Sequence, residues 1–108
     1  WNLAKKWQHA RECAKTNVEV KQTITGPHML ARFSVNERKD LYKDDIELCK
    51  AYAECIKDEI NELKKVGCDY IQIDEPVLTE APSECIWAAD VINGIISQFP
   101  EIKFGLHI

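Results

Sequence analysis

The segment from Asp44 to Gly67 admits one local structure. Its apolar residues Ile46, Cys49, Ala53, Ile56, Ile60 and Leu63 step by 3, 4, 3, 4 and 3, which places them on one face of an α-helix. Asp44 and Asp45 sit in the first turn and Lys64 and Lys65 in the last, so the charges complement the helix dipole. Gly67 stands just beyond, where a left-handed cap belongs. Tyr70-Ile71-Gln72-Ile73 follows almost at once and reads as a buried strand. A long helix running straight into a strand is half of a parallel crossover, and that narrows the fold more than any other feature of the chain.

The flanking sequence supplies the other half. Leu3, Ala4, Trp7, Ala10, Cys13 and Ala14 recur at helical spacing over residues 2–15. "VEVKQTIT", Val18 to Thr25, alternates as a strand and is halted by Gly26-Pro27. A polar, irregular stretch is expected from His28 to Lys43. After the strand at 69–74 come a loop rich in Pro, Ser and Glu, a helix near 84–98, Pro100, and a last strand from Ile102 to His107. Strands separated by helices predict an α/β fold with parallel strands joined by right-handed crossovers. No Gly-x-Gly-x-x-Gly turn marks a dinucleotide-binding sheet.

Side-chain parity separates the remaining architectures. Ile71 and Ile73 face one side of their strand, while Tyr70, Gln72 and Asp74 face the other. Phe104 and Leu106 oppose Lys103, Gly105 and His107 in the same way, and Val20 and Ile24 oppose Lys21, Thr23 and Thr25. Strands in an open parallel sheet are buried on both faces and lack this asymmetry. A barrel with a polar mouth has it. The expected fold is therefore a fragment of a (βα)8 TIM barrel, with three parallel strands and crossover helices. Residues 1–108 would form part of a single catalytic barrel, incomplete at both ends; the chain has no initiator Met and closes on the apolar Ile108.

The polar faces end in Thr25, Asp74 and His107, all at C-terminal strand ends, where barrel enzymes build their sites. The pair Asp74-Glu75 followed by Pro76 then reads as a strand closing at a site, with the proline turning the chain outward.

Composition excludes other classes. At 108 residues, 45% apolar and 30% charged, the chain suits a globular domain or part of one. A net charge of -4 argues against nucleic acid as a partner. No apolar run approaches the ~20 residues that span a membrane. The five cysteines, at 13, 49, 55, 68 and 85, form no CxxC pair. They read as free buried thiols in a reducing, cytoplasmic setting. His9 and His28 show no partner pattern and are expected at the surface or in loops. Trp1, Trp7 and Trp87 read as packing residues.

"VKQTITGPH", then a long helix, then "GCDYIQIDEPVL", then "FGLHI" resembles the cobalamin-independent methionine synthase family, in its zinc-bearing catalytic barrel. The likeness runs from about Val18 to Ile108, and Ile71-Gln72-Ile73-Asp74-Glu75-Pro76 is its most specific string. The resemblance implies a methyltransferase that moves a methyl group from methyltetrahydrofolate to the thiol of homocysteine, making methionine. By the same resemblance His107 is a zinc ligand, followed two positions later by a Cys that would fall just past Ile108. Asp74 would hold the homocysteine amino group, and Glu75 would support it or hold the loop. Glu80 matches a family Glu, though its setting here, "TEAPSE", departs from the usual Arg-Glu-Gly turn. Thr25 either lines the substrate site or shapes the turn. The stretch alone is expected to be inactive, because the other zinc ligands lie outside it. Alternatives are a related barrel methyltransferase with a methyl-corrinoid donor or another thiol acceptor, and a non-catalytic barrel remnant serving as an interaction segment.

Overall fold

A computed structural model describes all 108 residues. In chain order the elements are α1 (Leu3–Cys13), β1 (Gln22–Thr25), α2 (Pro27–Arg32), α3 (Asp45–Lys65), β2 (Tyr70–Asp74), α4 (Cys85–Ile96) and β3 (Lys103–His107). Two short 3-10 turns, Pro76–Thr79 and Pro82–Glu84, lie between β2 and α4. The strands form one parallel sheet in the order β1-β2-β3. The fold is thus α/β with parallel strands linked by helices, as expected, and is consistent with a fragment of a (βα) barrel.

α3 begins and ends as its sequence dictates. The Asp44 carboxylate accepts from the Glu47 amide at 2.9 Å, the N-cap bond. At the other end Gly67 takes φ +91 while the Cys68 amide bonds to the Leu63 carbonyl and the Gly67 amide to that of Lys64, a Schellman cap. A side chain at a positive φ is strained by about 1–2 kcal/mol. Gly67→Ala should lower stability by that amount in a denaturant titration, since nothing lies within 4 Å of the added methyl to offset the strain.

The apolar stripe of α3 packs on the sheet. Ile56, Ile60 and Leu63 meet Ile24 and Ile71, with Ile95 of α4 and then Phe99 and Ile102 completing the layer. Ile73 packs with Leu78, Ala88 and Ile92. Each fully buried Ile or Leu contributes roughly 1.5–3 kcal/mol. The helices therefore cover one face of the sheet, and the other carries Lys21, Thr23, Thr25, Tyr70, Gln72, Asp74, Lys103 and His107.

Several expectations need correction. β1 starts only at Gln22. The carbonyls of Val18 and Val20 are taken by side chains of α1, Arg11 and the Trp7 indole, and not by a neighbouring strand. The stretch after Gly26 is not all irregular, because Pro27–Arg32 is helical. Pro27 opens that helix where its missing N–H is no loss. Only Cys49 and Cys68 are buried; Cys13 and Cys55 are exposed and Cys85 is intermediate. Trp7 is core, whereas Trp1 is exposed. No helix is long and apolar enough to cross a membrane.

Candidate functional site at the strand ends

Register brings the strand-end residues level. Thr25 pairs with Asp74, and Asp74 with His107, so three polar side chains end three adjacent strands on the sheet face away from the helices. Backbone bonds extend the ladder one step further. The Gly26 amide donates to the Asp74 carbonyl and the Glu75 amide to the His107 carbonyl, each at 2.8 Å.

The side chains of Asp74 and His107 meet. His107 Nδ1 is 3.2 Å from Asp74 Oδ1, with the imidazole 63% exposed and the carboxylate 29%. Nδ1–H donates to the carboxylate, and Nε2 has no hydrogen-bond partner. An imidazole oriented in this way by a carboxylate is the usual state of a metal-ligating histidine. The chain holds no group of three or more His, Cys, Asp or Glu side chains that could bind a metal ion. Asp74 Oδ1 also accepts from Gln72 Nε2 at 2.6 Å.

Glu75 points the other way. Its side chain is fully buried, and its two carboxylate oxygens accept from the backbone amides of His28 and Met29, each at 2.8 Å. These are orphan donors of the first turn of α2, so a residue at the end of β2 caps a helix that follows β1. Burial pushes the Glu75 carboxyl pKa up, and the two amides and nearby His28 pull it back. Of the two expectations for Glu75, the loop-holding one fits this geometry.

His28 is not a surface or loop residue. It is fully buried in α2, with Nε2–H donating to Glu84 Oε2 at 2.6 Å and its ring 5.3 Å from that of Trp87. Its Nδ1 lies 3.8 Å from Glu75 Oε2 and has no hydrogen-bond partner. Arg32 Nη1 reaches the other oxygen of Glu84 at 3.5 Å. Beneath the cluster, burial first and then the charges of Glu75 and Glu84 push the Cys49 thiol up to about 12, so it is inert. Sequence reasoning missed this network. The signal for it was a proline after a glycine, a helix start lacking any local cap residue.

Glu80 does not join the constellation; it is exposed, at the end of the first 3-10 turn. Thr25 is partly buried and level with Asp74, with no side-chain hydrogen bond to it. The largest surface hollow, about 310 Å³, lies between α3 and α4 near Lys50, Trp87 and Asp90. It touches none of the strand-end residues.

The family model described as "Cobalamin-independent synthase, Catalytic domain" matches residues 2–87. The chain belongs to this family. Methionine synthase of Pyrococcus furiosus is 38% identical over 89 residues, covering 82% of this chain and 25% of that protein. Methionine synthases of Thermococcus kodakarensis and Sulfurisphaera tokodaii are 37% and 34% identical over the same shares. The chain thus spans about a quarter of the length of these relatives. The family match stops short of β3, so the position of His107 beside Asp74 rests on the β2–β3 register.

Proposed function

We propose that the chain forms three neighbouring strands of one (βα)8 barrel in a methyltransferase that methylates the thiol of homocysteine to give methionine, with methyltetrahydrofolate as donor. The observation that carries this reading is the pairing of Asp74 and His107 at the C-terminal ends of adjacent strands. The family's description as cobalamin-independent favours the folate over a methyl-corrinoid.

The two residues have separate tasks. Asp74 Oδ2 accepts no hydrogen bond from the protein, so it is open to the substrate ammonium. His107 Nε2 would be one ligand to zinc, with the others supplied from beyond this stretch. Zinc, when bound, holds the substrate sulfur as thiolate near neutral pH, where a free thiol with pKa near 8.5 is mostly protonated. Thr25 borders the ammonium site from β1. Glu80, exposed beyond the strand, would contact the donor, a role that rests on its match to a family Glu. Glu75 holds the turn that carries Asp74.

Asp74→Asn tests the assignment. The amide keeps an acceptor oxygen for His107 but loses the charge that meets the ammonium, a contact of ~1.5–3 kcal/mol. The KM for homocysteine in the full-length enzyme should rise roughly 10- to 100-fold, with bound zinc unchanged. An unaltered KM would remove Asp74 from the site.

A further inference from the structure

The polar face of the sheet carries a row of side chains of which the reading above uses only one end. Lys21 Nζ donates to Gln72 Oε1 at 2.5 Å, Gln72 Nε2 donates to Asp74 Oδ1 at 2.6 Å, and the same oxygen accepts from His107 Nδ1 at 3.2 Å. The row crosses all three strands, with Lys21 one residue ahead of β1.

The chemistry of the row fixes its direction. The orientation of a glutamine amide is set by its partners. An ammonium group has donors only and a carboxylate has acceptors only. Gln72 therefore must turn its oxygen to Lys21 and its NH2 to Asp74. The reverse orientation would set two donors against each other at one end and two acceptors at the other. The Asp74 carboxylate already calls for the NH2, and Lys21 reinforces that orientation by holding the amide oxygen. Both donors to Asp74, from Gln72 and His107, converge on Oδ1, and Oδ2 is left free.

We propose that Lys21 and Gln72 are positioning residues for Asp74, holding its carboxylate with Oδ2 turned toward the ammonium group of an amino-acid thiol. The inference rests on the reading of Asp74 as the ammonium-binding group. Neither residue touches substrate. Gln72 acts through Asp74, and Lys21 acts through Gln72. Lys21 is in turn near the ring of Tyr70, 6.0 Å from its centroid, while Lys103 sits over the same ring at 4.0 Å and pairs with Glu19 at 3.2 Å. Lys103 is therefore engaged elsewhere, and Lys21 is the cation that holds the amide oxygen.

A double-mutant cycle on the full-length enzyme tests this, with Asp74→Asn as reference. Two thiols are compared, homocysteine and 4-mercaptobutyrate, which lacks the amino group. Gln72→Leu should raise the homocysteine KM roughly tenfold, the scale of one hydrogen bond to a charged group. Lys21→Met should raise it roughly threefold, the weaker effect of an amide that Asp74 still orients but nothing holds at its oxygen end. The double variant should be no worse than Gln72→Leu alone, because Lys21 has no route to Asp74 without the amide. None of these should alter the KM for 4-mercaptobutyrate, which a merely structural role would raise equally. If Asp74→Asn raises the homocysteine KM and the Gln72 and Lys21 variants do not, the positioning role is overturned and the Asp74 reading stands. If Asp74→Asn has no effect, both fall. Additive effects, or equal losses for both thiols, also overturn the positioning role. Should Gln72→Leu fail to fold, Lys21→Met at its exposed position decides by the same two-thiol comparison.

Discussion

Gly26→Ala is expected to destabilise the protein by on the order of 3–5 kcal/mol, enough to abolish folding of a marginally stable domain. Its φ of -72 is open to any residue, so backbone freedom is not why glycine stands there. Space is the reason. A Cβ on Gly26 would lie 2.2 Å from both Cδ and Oε1 of Glu75, and the Glu75 side chain is fully buried with nowhere to retreat. Evicting the carboxylate breaks its bonds to the His28 and Met29 amides and leaves two buried donors without partners. Gly94→Ala provides the contrast. It lies in α4 with nothing within 4 Å of the added methyl, so it should be neutral or stabilise by up to ~1 kcal/mol. Urea melts of both variants check the pair, and a Gly26→Ala protein as stable as its parent would show that Glu75 does not fill that space.

The same cluster marks the limit of what the sequence reveals. α3 and β2 were legible because their signals are local: a 3-4 apolar step, charges at the proper ends, and an alternating strand. Parity along the three strands was local too, and it placed Thr25, Asp74 and His107 on one face before their register was known. α2 was not legible. Six residues are too few to show a helical period, and its cap is Glu75, 47 positions away. Nothing near His28 in the chain announces that Glu84 and Trp87 will enclose it. The alternation from Val18 to Val20 misled for a related reason, since Arg11 and Trp7 of α1 satisfy those carbonyls. Cysteine burial failed where it was inferred from residue type alone. Cys49 lies on the apolar stripe of α3 and is buried, while Cys55, off that stripe, is exposed. Local patterns specify elements and faces; contacts between distant segments set which polar groups are sealed inside.

His107→Ala should reduce bound zinc in the full-length enzyme from about one per chain to under about a tenth of that, with methyl transfer lost in step. The imidazole would be one of about four ligands, and losing it leaves an incomplete set for a metal that favours tetrahedral closure. Nδ1 is already engaged by Asp74 at 3.2 Å, so Nε2 is presented without a search among tautomers or rotamers. Metal analysis after dialysis provides the measurement, and two further variants locate the cause. His9→Ala should keep its zinc, because His9 is an exposed residue of α1 whose only polar neighbour is Cys13 at 3.8 Å. Asp74→Asn should keep it also, because the amide oxygen can still accept from Nδ1–H. Loss confined to His107→Ala makes the strand-end imidazole the ligand. Full zinc in that variant would leave Asp74 as an ammonium site without a metal beside it, and the thiol chemistry would need another activating group.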